Sequence, residues 1–387
     1  MKRTLVLAAS LVMMAGLGTG QAFSVFDGPL REAFHLTSFR TQLIFSTNTL
    51  VFCIVIIVGG RLHDRFGPRP LALASVLLTG AGYFLAWQSG GHYLVLLLSL
   101  GVILGAGSSI GYVCPIATAV KWFPRNRGLI AGLAAAGYAG GPILLSAIAE
   151  VLFHRQWSVL EIYGFVAAVY TPILLVTALL LRAPGPVNPE HVSAFRRRTV
   201  LRDRRFWMLW VGMLCGTMPY LILNGKVKPM GEAFGLGPAA AACAIGVACA
   251  GNMLGRLFWG YVVDRVGHRK AMFGTQMLLP VVVLALVGSS AVPALFLVAA
   301  AGVGFCYGSN FAIYPATVAN FYGPHVLGSV YPLIMFAQGI SSSGPPLAGF
   351  LYDCTQSYLP GLAIAGVVAV VGLVICTWLG RGSPHKA

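Results

Sequence analysis

The sequence predicts an all-α integral membrane protein whose twelve transmembrane helices form two six-helix repeats. Composition is the first reason. Of 387 residues 57% are hydrophobic and only 9% charged, whereas about a quarter of a soluble domain is charged. The second is the recurrence of apolar runs of roughly 20 residues, each long enough to cross a bilayer core of about 30 Å. The third is internal repetition at an offset of 200 residues. Pro29, Glu32, Ala33, Phe34 and Leu36 recur as Pro229, Glu232, Ala233, Phe234 and Leu236. Gly60, Asp64, Arg65, Gly67 and Arg69 recur as Gly260, Asp264, Arg265, Gly267 and Arg269. Pro115, Pro124 and Gly128 recur as Pro315, Pro324 and Gly328.

The expected spans in the first half are 4–26, 40–59, 70–88, 93–117, 128–152 and 160–181. Those in the second are 205–225, 238–262, 271–289, 293–316, 326–350 and 360–380. Met1-Lys2-Arg3 before an apolar run resembles a signal peptide, but the run reaches Phe26 and the repeat needs it as the first span. The longest polar break holds Pro184, Pro186, Pro189 and Arg196-Arg197-Arg198. It divides the chain into a six-helix half at 1–181, a cytoplasmic linker at 182–204 and a second half at 205–387. Most Lys and Arg fall at one face of this topology. Arg31, Arg40, Arg155, Lys226 and Lys228 fall at the other. That bias places both termini in the cytoplasm of a bacterial inner membrane. Forty-eight glycines suit closely packed membrane helices.

The net charge of +16 does not point to nucleic acid, because the basic residues occupy short loops between spans. The eight cysteines are scattered, with no metal-like spacing, and read as buried thiols. No nucleophile, metal cluster or cofactor loop points to an enzyme, and no cofactor or metal is expected.

One residue breaks the apolar pattern most sharply. Arg256 lies inside the eighth span, eight residues before Asp264. An arginine at membrane depth costs about 2.5–3.5 kcal/mol on insertion scales and usually faces a water-filled cavity. The competing reading is that it snorkels to the cytoplasmic edge and meets phospholipid. Two parallel six-span repeats put a substrate site between them near the midplane, with access alternating as the halves rock.

At Gly60-Arg61-Leu62-His63-Asp64-Arg65-Phe66-Gly67-Pro68-Arg69, and at its copy from Gly260 to Arg269, the chain resembles the major facilitator superfamily. The stretch Lys121-Trp122-Phe123-Pro124-Arg125-Asn126-Arg127-Gly128, followed by Gly132 and Gly137-Tyr138-Ala139-Gly140-Gly141, resembles its oxalate/formate antiporter and monocarboxylate transporter branch. That resemblance implies the fold, a secondary-active transporter, and an eighth-helix arginine on the substrate carboxylate, the place Arg256 occupies. Asn252 stands where animal monocarboxylate transporters carry an Asp. Gln338 stands where oxalate carriers carry a lysine. The resemblance also places Tyr112, Tyr138, Tyr307 and Phe311 around the substrate, with Asn310 a further polar candidate. It makes Asp64, Arg65, Asp264 and Arg265, with the flanking Gly60, Gly67, Arg69, Gly267 and Arg269, a cytoplasmic gate.

One buried guanidinium balances one carboxylate, and its planar fork matches it with two hydrogen bonds. Gln338 supplies no second charge. The expected substrate is therefore a monocarboxylate such as lactate, pyruvate, glycolate or formate, moved by proton symport. Asn252, one turn before Arg256, can orient the guanidinium or bond a substrate hydroxyl. Asp27, which closes the first span before Gly28-Pro29, and Glu150 are the proton-coupling candidates. Surface placement is the competing reading for Asp27. The alternatives are an oxalate-like dicarboxylate/formate exchanger, with Lys226 or Lys228 as second cation, and a multidrug efflux carrier. The expected partners are the carboxylate, protons and the bilayer, with the protein a monomer.

Overall fold

The computed structural model describes residues 3–123, 127–182, 200–289, 292–323 and 327–381. Most of the expected linker, 183–199, lies outside them, as do Pro124 and Pro324. The described chain is all-α. Eleven helices among the described residues are long and apolar enough to cross a membrane. They are α1 (Arg3–Phe34), α2 (Ser38–Phe66), α3 (Pro68–Trp87), α4 (Tyr93–Trp122), α5 (Arg127–His154) and α6 (Val159–Leu180). The second repeat supplies α7 (Arg204–Asn224), α8 (Pro238–Val266), α9 (His268–Gly288), α10 (Pro293–Tyr322) and α12 (Leu359–Arg381). The twelfth, α11, is broken into Leu327–Ser341 and Gly344–Thr355.

Local chemistry sets the ends. Ser158 opens α6 with a capping box: its hydroxyl accepts from Glu161 N–H at 3.3 Å, and the Glu161 carboxylate accepts from Ser158 N–H at 2.7 Å. Asp203 accepts from Arg205 N–H at 2.9 Å ahead of α7. The repeated loop ends α2 and α8 alike. Gly67 and Gly267 take φ of 79° and 83°, where a side chain is strained. Their N–H groups donate to His63 O at 2.9 Å and Val263 O at 3.0 Å.

Two expectations about the helices need correction. The first span does not end at Asp27. After a tight 3₁₀ turn at Gly18–Ala22, α1 continues through Pro29 to Phe34, so Asp27 lies within the helix. The expected span 326–350 is two helices. Its break at Ser342-Ser343 follows Ser341, whose hydroxyl donates to Leu214 O at 2.9 Å and accepts from Thr217 Oγ1 at 2.9 Å. Locally, the Ser341 hydroxyl also donates to Ala337 O at 3.0 Å and that of Ser342 to Gly339 O at 2.6 Å, side-chain bonds that compete with the helical ladder there. Pro345 and Pro346 then restart the helix in its first turn, where no intrahelical donor is needed.

Helices α8 and α10 pack backbone to backbone, and glycine makes it possible. A Cβ on Gly251 or Gly255 would stand 2.1 or 2.2 Å from the carbonyl oxygens of Ala301 and Phe305. Reciprocally, a Cβ on Gly304 or Gly308 would stand 2.1 or 2.2 Å from those of Ala248 and Asn252. This seam sets Asn252 and Arg256 against Tyr307 and Phe311. Gly308→Val is expected to lower the thermal midpoint of the purified protein by at least 5 °C or abolish its recovery, because the backbones must part. Gly59→Ala, where nothing stands within 4 Å, is the neutral control.

Candidate functional site

A narrow cavity lies between the two repeats, midway along the helices, with about 500 Å³ of space between atoms including its mouth. The first repeat lines it with Gln21 of α1, Thr49 and Phe52 of α2, Tyr112 of α4, and Tyr138, Ala139 and Pro142 of α5. The second lines it with Tyr220 of α7, Cys249, Asn252 and Arg256 of α8, Tyr307 and Phe311 of α10, and Gln338 of α11.

Arg256 is the charged group in this lining, and it is 5% exposed. Its Nε donates to Asn252 Oδ1 at 3.0 Å, and its Nη1 donates to Ala135 O of α5 at 3.0 Å. The guanidinium carbon stands 4.2 Å from the centre of the Phe311 ring. Arg256 does not snorkel. Backbone, amide and ring fix the fork in the cavity wall, and Nη2 donates to no described protein group. Asn252, through Oδ1, thus holds one donor of the guanidinium.

The other sequence candidates converge on the same space. Tyr112 and Tyr138 meet edge to face at 5.1 Å, with Phe52 at 5.6 and 6.1 Å from them. Tyr307 stacks on Tyr220 at 4.0 Å and meets Phe311 at 5.2 Å. Gln338 Nε2 donates to the Tyr307 hydroxyl at 2.9 Å, while its Oε1 is buried without a partner. Asn310 turns away and donates to Gly216 O at 3.2 Å.

Gln21, Thr49, Phe52, Tyr220 and Cys249 were not among the sequence candidates. Gln21 carries a signal, as the one amide in the first expected span. The others carry none, since an aromatic, threonine or cysteine in a membrane helix reads equally well as packing.

At the end of the bundle away from the termini, polar bonds lock the repeats together. Asp27 is fully buried, so the surface reading fails. Its carboxylate accepts from Lys226 Nζ at 2.6 Å, Thr41 Oγ1 at 2.7 Å and Gln42 Nε2 at 2.8 Å. Gln42 Nε2 also donates to Gly225 O at 2.9 Å. A second pair joins Lys228 to Glu150. Asp353 accepts from Ser38 and Phe39 N–H at 3.0 and 2.9 Å, capping α2 from α11. The lock touches the cavity roof, because Asn224 Nδ2 donates to Gln21 O at 3.0 Å. Lys226 and Lys228, the proposed second cations of a dicarboxylate site, are thus engaged by acids outside the cavity.

The repeated loop sits at the opposite end. The side chains of Gly60 and Asp64 lie outside the described residues. Arg65 and Arg265 are exposed, with guanidinium carbons 5.3 and 5.1 Å from the rings of Phe66 and Tyr261 on their own helices. Asp264 and Arg269 are exposed, and Arg69 is half-buried.

Comparison with known proteins agrees with the all-α membrane fold. The profile of the Major Facilitator Superfamily matches residues 7–343 and 226–387. The chain is 28% identical over 351 residues to the uncharacterized MFS-type transporter YhjX of Escherichia coli, covering 88% of this chain and 86% of that one. It is 28% identical over 398 residues to the oxalate:formate antiporter of Oxalobacter formigenes, covering 99% and 92%. It is 26% identical over 394 residues to human monocarboxylate transporter 11, covering 98% and 83%. With twelve helices in two repeats and a cavity between them, the chain belongs to the major facilitator superfamily of membrane transporters.

Proposed function

We propose that the protein carries small monocarboxylates of the lactate, pyruvate, glycolate and formate class across the membrane, together with a proton. One observation carries the substrate class: among the described residues the cavity lining holds one charge, a preoriented guanidinium, and no acid. A bound carboxylate brings the cavity to neutrality. Nη2, together with the remaining Nη1 proton, gives it two donors. The aromatic walls suit a short carbon body. A dicarboxylate would leave one negative charge uncompensated in a low-dielectric space, which is costly. A lipophilic cation would meet Arg256 with like charge. The names of the relatives, oxalate:formate antiporter and monocarboxylate transporter, favour the organic-anion reading. The former keeps anion exchange as the second reading.

Asp27 is the group proposed to carry the proton coupling. Opening the far end requires separating Asp27 from Lys226 or neutralising one of them. A proton on Asp27 removes that attraction, so proton binding and far-end opening favour each other by linkage. The charged and titratable groups around the pair are Arg31, Asp353, Tyr352 and Tyr358. Glu150, paired at the rim, is a gate residue in this account. With both termini cytoplasmic, the lock faces outward and the Asp64 and Asp264 loops form the inner gate.

Uptake of radiolabelled lactate into proteoliposomes tests the reading. An inward proton gradient is expected to raise initial uptake at least fivefold, with glycolate and pyruvate competing. Stimulation instead by preloaded internal formate or oxalate, with no response to the gradient, would replace symport by exchange.

A further inference from the structure

A second concavity lies at the end of the bundle that carries the termini, remote from the carboxylate cavity. The ends of α7, α9, α10 and α12 frame a trough with about 920 Å³ of space between atoms. Its walls are apolar, built from Leu209, Met272, Phe273, Phe321 and Cys376. Its rim is basic. Arg269 and Lys270, in the first turn of α9, line it beside His268. The guanidinium of Arg205 lies 5.5 Å from the centre of the Phe321 ring, and His268 meets that ring edge-on at 5.3 Å. Among the described residues no acid lines the trough. Asp203, nearby on the α7 side, accepts from Tyr322 at 3.0 Å.

We propose that this trough is a binding site for one anionic glycerophospholipid. The phosphate sits among Arg205, Arg269 and Lys270, and an acyl chain runs along Met272, Phe273 and Phe321. Charge complementarity selects the head: cations just beyond a membrane helix attract anionic lipid, worth about fivefold in affinity for each Lys or Arg. The walls select the tail, since water in an apolar trough finds too few partners. The first repeat is built differently at this corner. Trp122 of α4 donates its indole N–H to Arg182 O at 2.7 Å, tying α4 to the end of α6. Its counterpart Tyr322, 200 residues on, turns to Asp203 instead. Among the described residues the corner between α10 and α12 therefore lacks that tie. The head-group site directly follows Gly267, the turn of the repeated loop, so a bound lipid holds the junction of α8 and α9. This site is independent of the carboxylate reading.

Native mass spectrometry of the purified protein, titrated with phosphatidylglycerol or phosphatidylcholine, tests it. One phosphatidylglycerol is expected to be retained at least tenfold more tightly than phosphatidylcholine. The double variant Arg269→Gln/Lys270→Gln should weaken that lipid by about 25-fold. Thr377→Phe, which fills the trough and leaves the cations in place, should also release it. Retention of a monodisperse elution profile shows that each variant is folded. Equal retention of the two lipids, or unchanged affinity in both variants, overturns the proposal. Displacement by millimolar inorganic phosphate also overturns it, because the site would then recognise a free anion.

Discussion

Arg256→Lys is expected to reduce carboxylate transport by about 100-fold while the protein reaches the membrane at normal levels. The lysine keeps the charge but not the fork. Arg256, which lines the cavity, uses Nε to hold Asn252 and Nη1 to hold Ala135, and Nη2 donates to no described protein group. An ammonium on a flexible stem cannot hold both ties and present a planar pair of donors. Losing a charge-assisted bond and its orientation costs about 3 kcal/mol, which is about 100-fold. Initial uptake rates in proteoliposomes, normalised to reconstituted protein, check this. Asn252→Ala, which frees the guanidinium but leaves it in place, should fall between wild type and Arg256→Lys.

Asp27→Asn is expected to open the far end of the carrier. It preserves shape and an acceptor for Thr41 and Gln42, but it leaves the Lys226 ammonium buried and unpaired. Removing one partner of a buried pair costs about 3–5 kcal/mol. The lock exists in the state with the far end closed, so that state alone bears the cost and the population shifts toward opening. Cys249 lines the cavity and reports the shift. With the other cysteines replaced by serine, a membrane-impermeant thiol reagent added outside should label Cys249 at least tenfold faster in Asp27→Asn. Asp27→Asn/Lys226→Met should return labelling toward the parent rate, since the orphaned charge is gone. Equal rates in all three proteins would show that the pair does not hold the gate.

The membrane class, the repeats and the core of the cavity were legible because each leaves a local mark. Apolar length marked the helices, and the shared offset marked the two halves. Arg256 stood out because a charge at that depth is costly. Arg256, Asn252, Tyr112, Tyr138, Tyr307, Phe311 and Gln338 all line one cavity. The break in α11 left a weaker mark, Ser341-Ser342-Ser343 before Gly344-Pro345-Pro346, within an otherwise apolar run. Hydropathy integrates over a whole span and passes over two residues. The continuation of α1 through Pro29 was misread because proline is a helix breaker on average, while tertiary contacts decide the individual case. The Asp27–Lys226 pair could not be read at all. Its partners are 199 residues apart on different repeats, and neither periodicity nor the 200-residue offset links positions that meet face to face.

The central claim is that one cation, Arg256, binds one carboxylate in the cavity. Thermal shift of the purified protein across a panel of organic acids, with wild type beside Arg256→Ala, tests it most directly. A ligand at 100 times its dissociation constant stabilises by about 2.7 kcal/mol, a shift of a few degrees. The account predicts that lactate, glycolate, pyruvate or formate stabilises wild type and leaves Arg256→Ala unmoved. Stabilisation by dicarboxylates or lipophilic cations in preference to these acids, or an equal response to monocarboxylates in Arg256→Ala, would contradict it.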